Sequence, residues 1–245
     1  MARYDLLTEA NLKVRKGEKV GYYSVILHLA PSTLSGYQVC PQASLGCIAA
    51  CLNTAGQGGM FRPGEEGTNR VQVCRKRRTI MFFEQREQFM TLLEADIMHA
   101  LKYARKRGLT LVVRLNGTSD LPFEKIRYGQ FRNIFERFPT IQFYDYTKIA
   151  YRAFQQGKPG FPSNYHLTFS ASEVNHGTCR DLLLSGFSVT VVCSKEVKAW
   201  ALTQDNVIDG DENDLRFLDK KGSIILLSAK GRAKKDTSGF VIRSY

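Results

Sequence analysis

The chain has 245 residues, a formal charge of +12, 43% apolar and 24% charged residues. That size and balance suit one globular domain that buries its own core, and they argue against a disordered or collagen-like chain. No apolar run approaches the length needed to cross a bilayer, and the polar start lacks the apolar stretch of a secretion signal, so a cytoplasmic protein with no membrane partner is expected.

Residues 1–17 read as an arm outside the main pattern. The first strand is predicted at Tyr22–Leu29, and a cysteine-rich loop follows it. The clearest helix covers Ile80–Arg107. There Phe82, Phe89, Leu93, Ile97, Leu101 and Ala104 fall on one stripe, and Gly108 closes the helix. Further strands are predicted at Leu109–Leu115, Thr140–Tyr144, Tyr165–Phe169, Phe187–Val192 and Ser223–Leu227. Most of these runs are continuously apolar, as strands covered on both faces require. Helices at 131–138, 149–154, 173–184 and 196–202 alternate with them. Residues 230–245 form a basic C-terminal extension ending in a strand-like Phe240-Val241-Ile242. No linker divides the chain. Such alternation implies a single α/β domain with parallel strands, curled into a partial (β/α)6 barrel or left as an open doubly wound sheet.

Both architectures place ligands at the carboxyl ends of the strands. Polar groups stand there in each case: Asn116, Ser119 and Asp120 after the second strand, Lys148 after the third, Ser170 and Ser172 after the fourth, Lys195 after the fifth and Lys230 after the sixth. Thr147, Ser172 and Ser194 also read as helix N-caps. Lysines near helix starts oppose the helix dipole, which marks Lys148, Lys195 and Lys230 as candidate ligands for an anion. Asn116 and Asp120 flank Gly117 and either shape that turn or line the site.

After the first strand, Cys40, Cys47 and Cys51 fall within twelve residues, with Cys47 and Cys51 spaced for one helical face. In a reducing compartment, clustered thiols point to metal or redox chemistry rather than disulfides. Three thiolates suit an iron–sulfur cluster with one open position, a zinc site needs a fourth ligand such as the distant Cys74, and simple packing needs neither. The glycine-rich 53–59 segment either admits a ligand or serves as a loop exit. The four histidines supply no second ligand set, and the acidic 209–214 segment reads as a solvated turn. The charge favours nucleic acid or another polyanion, with Arg75-Lys76-Arg77-Arg78 and Lys234-Lys235 as its contacts.

The segment Cys40–Gly56, together with Asn116–Asp120, Tyr144–Lys148, Lys230-Gly231 and Asp236–Gly239, resembles the phage gene-product-88-type family. That resemblance implies a phage or mobile-element origin, and hence a host cytoplasm. The chain more distantly resembles radical S-adenosylmethionine (SAM) proteins, partial barrels whose three cysteines follow the first strand. That likeness implies a 4Fe–4S cluster held by Cys40, Cys47 and Cys51, with SAM as a further cofactor and an electron donor as partner. Asn116, Ser119, Asp120, Ser170 and Ser172 would then hold the cofactor's polar groups, and Lys148, Lys195 and Lys230 an anionic substrate such as a nucleotide or nucleic acid. The cysteine spacing here, six residues then three, is wider than that superfamily's three then two. The other expectation is a non-catalytic nucleic-acid-binding protein with a structural metal.

Overall fold

The computed structural model describes residues 5–9, 16–60 and 69–244. Its centre is one sheet of eight strands: β1 (Leu7–Thr8), β2 (Tyr22–Leu27), β3 (Thr110–Arg114), β4 (Gln142–Thr147), β5 (Tyr165–Ser170), β6 (Val189–Cys193), β7 (Val207–Asp209) and β8 (Ile224–Ser228). The strand order is β1-β2-β3-β4-β5-β6-β8-β7. β1 pairs antiparallel with β2, and every other pair is parallel. The sheet is not closed, because β1 and β7 each have a single partner. The six strands read from the sequence are therefore present in sequential order, with one short strand added at each edge.

The helices are α1 (Leu45–Ala49), α2 (Arg70–Glu84), α3 (Arg86–Lys106), α4 (Ile134–Arg137), α5 (Ala150–Gln155), α6 (His176–Leu184) and α7 (Lys195–Ala201). The single helix expected over Ile80–Arg107 is two helices, broken at Gln85, whose backbone leaves the helical region (φ −132°, ψ 53°). The apolar stripe continues across the break. Phe82 meets Phe89 edge to face at 5.2 Å, and Arg86 folds back over the Phe82 ring at 3.7 Å.

The main core joins one face of the sheet to α2 and α3. Tyr23, Val25, Leu27, Leu111, Val113, Leu115 and Phe143 pack with Phe82, Phe89, Leu93, Ile97, Ala100 and Ala104. The alternate strand residues project from the other face. They include Ser24, Arg114, Tyr144, Thr168 and Thr190, which are polar and buried. Over them lies the loop carrying Leu215 and Phe217, which packs on Tyr22, Val112 and Tyr144. Asp214 on that loop accepts from Arg114 Nη1 at 2.5 Å and from the Tyr146 hydroxyl at 3.4 Å. The acidic segment expected to be a solvated turn thus supplies a buried ion pair. Asp209 and Asp211 pair with Lys198.

The N-terminal arm is partly described. The carboxylate of Asp96 on α3 accepts the backbone N–H groups of Leu6 and Leu7 at 2.7 and 2.9 Å, which fixes β1 at the sheet edge. The C-terminal extension returns to the sheet, where Ile242 bridges Cys193 in parallel. Among the described residues, no helix is long and apolar enough to cross a membrane.

Candidate functional site

The chain leaves β2 through Leu29 and Ala30 and turns at Ser32, which holds φ +49°. Val39 N–H then donates to Ser32 O at 3.1 Å, and Ser32 N–H donates to Cys40 Sγ at 3.4 Å, closing the loop on itself. Asp120 N–H donates to Val39 O at 2.8 Å, so the end of β3 supports the cysteine loop. Ser44 caps α1 by accepting from Cys47 N–H at 3.1 Å. Glu173, beyond β5, accepts from Ser44 Oγ and from Gly46 N–H, both at 2.8 Å. Glycine at position 46 lets the Glu173 and Ser238 side chains approach closely. A Cβ there would lie 2.7 Å from Glu173 Oε1 and would also strike Ser238 Oγ. The C-terminal extension is therefore part of the site's wall. Asp236 holds it by accepting from Ser238 Oγ at 2.7 Å and Val241 N–H at 3.0 Å.

Cys40, Cys47 and Cys51 are half-buried free thiols at the carboxyl end of the sheet. Burial pushes the Cys40 thiol up to about 12; the Ser32 N–H opposes this, while charges on Cys51, Asp120 and Cys47 add to it. Burial also raises Cys47, against the pull of Lys148 and with Glu173 and Asp120 adding. Cys51 is raised by burial against the Asn53 N–H, with Cys47 adding and Arg75 and Lys148 opposing. The three thiols are thus within electrostatic reach of one another. Cys74 is not among the groups that act on them. Free thiols so shifted are protonated near neutrality and are poor nucleophiles, which argues against a cysteine nucleophile. As they lie, the thiols engage backbone groups: Cys40 Sγ donates to Thr118 O at 3.7 Å, and Cys51 Sγ accepts from Asn53 N–H at 3.5 Å. Among the described residues, no group of three or more His, Cys, Asp or Glu side chains is arranged to hold a metal ion.

The other predicted residues divide by what they touch. Asn116 is 3% exposed. Its side chain donates to Leu121 O and Asp145 Oδ2 and accepts from Ser119 Oγ and Leu121 N–H. Those four bonds fill its capacity, so Asn116 and Ser119 shape the turn after β3. Gly117 lets that turn meet β2, where its N–H donates to Leu27 O at 2.9 Å and a Cβ would lie 2.6 Å from Ile26 Cγ2. Asp120 pairs with Arg152 at 2.5 Å and accepts from Thr147 Oγ1 and Lys148 N–H. Lys148 Nζ donates to Ser170 Oγ at 2.7 Å and to the Ser170 and Ala171 carbonyls. Ser172 is buried, and its Oγ has no hydrogen-bond partner. Lys195 is exposed at the start of α7, away from these contacts. Lys230 Nζ donates to Asp211 Oδ1 at 3.0 Å.

Of the expected caps, Ser194 caps α7, whereas α5 and α6 begin at Ile149 and Asn175. Thr147 instead accepts from Ile149 N–H and donates to Asp120. The glycine-rich 53–59 segment forms two 3-10 turns tied to α2, where Gln72 Nε2 and Asn69 Nδ2 donate to Gly58 O.

Sequence reasoning missed Glu173, Asp236 and the inward turn of Arg75. Arg75 donates to Asn53 Oδ1, and Arg78 donates to Asp5 O at 3.2 Å. The run 75–78 is therefore not one solvent-facing strip. Glu173 and Asp236 lie 129 and about 190 residues beyond the cysteine loop, out of reach of any local pattern.

A family model described as Gene product 88 matches residues 5–244. The chain belongs to that family. The match spans both edge strands and the C-terminal extension. No curated protein and no solved structure matches the chain.

Proposed function

We propose that this Gene product 88 chain is a radical-SAM-like iron–sulfur protein acting on a nucleotide or nucleic acid. The supporting observation is the placing of Cys40, Cys47 and Cys51 on the loop after the first parallel strand, within electrostatic reach of one another. In this reading the sequential parallel strands β2 to β6 and β8 curl as a partial barrel. The donor chemistry suits the group: three soft thiols without a fourth favour a cluster with one open position over a closed zinc site. The thiols would rotate from their backbone partners and release their protons on loading, so loading would weaken in acid. Lys148 and Arg75 oppose the rise of the Cys51 thiol and would offset the added negative charge. When bound, such a cluster supplies an electron for reductive cleavage of SAM. The polar strand end at Ser170 would orient that cofactor.

The test is anaerobic purification with iron and sulfide analysis. The wild-type chain should carry about four irons, as a 4Fe–4S cluster requires, and Cys47→Ser should lose most of them along with the brown absorbance. Reduced protein with SAM should release 5′-deoxyadenosine. Zinc in place of iron, or iron unchanged in Cys47→Ser, refutes the assignment.

A second reading, a nucleic-acid-binding protein with a structural metal, draws on one observation. The exposed Lys234 and Lys235 belong to a 3-10 turn, Gly231–Lys235, whose Gly231 lies against Thr54 and Ala55 at the exit of the cysteine loop. Replacing Lys234 and Lys235 by Gln should then weaken single-stranded DNA binding. It should also flatten the slope of log K against log salt by up to about one per lost phosphate contact. An unchanged slope would exclude that surface.

A further inference from the structure

Beside the cysteine loop, the ends of β4 and β5 and the start of α6 frame a cleft of about 430 Å³. Gln42, Lys148, Tyr151, Ser172, Asn175 and Thr178 line it. Ser172 is 3% exposed, and its buried Oγ has no partner, an uncompensated cost for the fold alone. α6, nine residues long, opens at Asn175 without a side-chain cap. The Asn175 Oδ1 is taken by Ser172 N–H at 2.7 Å and by the Cys179 thiol at 3.4 Å. The first-turn amides of α6 are therefore left to another acceptor, at the positive end of the helix dipole. Lys148 donates only to neutral oxygens, and among the described residues no carboxylate lies within ion-pair distance of it. Asp120, which feels its charge, is already paired with Arg152. An unpartnered hydroxyl, an uncapped helix start and a cation without a counter-charge thus border one cleft, on a chain of charge +12.

The geometry points to a phosphate site for a nucleotide. Lys148, Ser172, Thr178 and the first-turn amides of α6 receive the phosphate, and Tyr151, 62% exposed at the rim, meets the base. The volume is within the range of small-molecule sites. The inference rests on the proposed function for its nucleotide class, and it uses none of the iron chemistry.

The test is calorimetric titration of the metal-free chain with 5′-AMP, adenosine, inorganic phosphate and SAM. AMP should bind about tenfold or more tighter than adenosine, and phosphate should compete with it. Ser172→Ala and Thr178→Val should each weaken AMP about three- to tenfold, Lys148→Met more than about tenfold, and Lys102→Met on α3 not at all. Ser172→Ala removes a hydroxyl that bonds to nothing, so it reports even if Lys148→Met fails to fold. Cys47→Ser should retain AMP binding, which separates this site from the cluster. Absence of AMP binding at millimolar concentration, equal affinity for adenosine, or an unchanged Ser172→Ala overturns the inference. So does binding of SAM without AMP, which would make the site one for a carboxylate.

Discussion

Replacing Arg152 by methionine is expected to lower the unfolding free energy by about 3–5 kcal/mol, the usual cost of stranding buried carboxylates. Arg152 is 2% exposed. Its guanidinium meets Asp120 at 2.5 Å, both oxygens of Glu124 at 2.8 and 2.9 Å, and the Tyr165 hydroxyl at 3.1 Å. Burial already raises Asp120 against the pull of Arg152, and removing the guanidinium raises it further. The sign of the pH dependence follows. Carboxylates raised in the folded state destabilise it at pH 7 and cease to do so once protonated. Urea denaturation should therefore show the deficit of Arg152→Met shrinking from pH 7 to pH 4. Adding Asp120→Asn and Glu124→Gln should recover part of it at pH 7. A deficit independent of pH would mean that lost packing, not stranded charge, is the cause.

The second large effect is acid sensitivity centred on two histidines. Burial lowers His28 to about 3, with Arg75, Arg114 and Arg78 adding, and lowers His166 to about 4, with Arg216 and Lys221 adding. Both stay neutral in the folded chain, while the unfolded chain takes up protons below the ordinary value near 6.5. Stability therefore falls as pH drops from 6.5 toward 4 for His166 and toward 3 for His28. Asp145 works the other way. Burial raises it to about 6 against Arg114 and its hydrogen bonds, so the folded chain gains a proton between about 6 and 4. Each histidine costs on the order of 3 kcal/mol by pH 4 and Asp145 returns a similar amount, leaving a net loss of several kcal/mol. His166→Gln should flatten the fall between pH 6.5 and 4. By NMR, the His28 and His166 rings should keep their neutral shifts down to pH 5. Ordinary titration near 6.5 in either ring would refute the account for that residue.

The sequence carried the main frame because strand burial is written locally. Runs such as Leu111–Leu115 are apolar but for Arg114, since one alternation faces α2 and α3 and the other is covered by the loop of Leu215 and Phe217, where Asp214 pairs with that arginine. The cysteines and the polar strand ends were equally visible, because residue type and chain order suffice to place them. The break at Gln85 was hidden, since the stripe of Phe82 and Phe89 runs through it unchanged. β1 was hidden for another reason. The two-residue strand is held at the sheet edge by its pairing with β2 and by Asp96, 89 to 90 positions away, which accepts the N–H groups of Leu6 and Leu7. The same cause blurred the site. Asn116 and Asp120 look like ligands by composition, yet their partners Asp145 and Arg152 are chosen by tertiary packing. Glu173 looks like an ordinary loop acid until the sheet brings it against α1, and Asp236 until the C-terminal extension closes around it.

The dependence of α1 on Glu173 bears on how this protein is made. The peptide bearing Cys47 is synthesised 129 residues before the carboxylate that clasps its start, and earlier still than the Ser238 hydroxyl that abuts Gly46. During translation the thiol-bearing turn therefore has no clasp until β5 and the tail have emerged and docked. The wall around those sulfurs is therefore completed only when the last part of the chain has folded back.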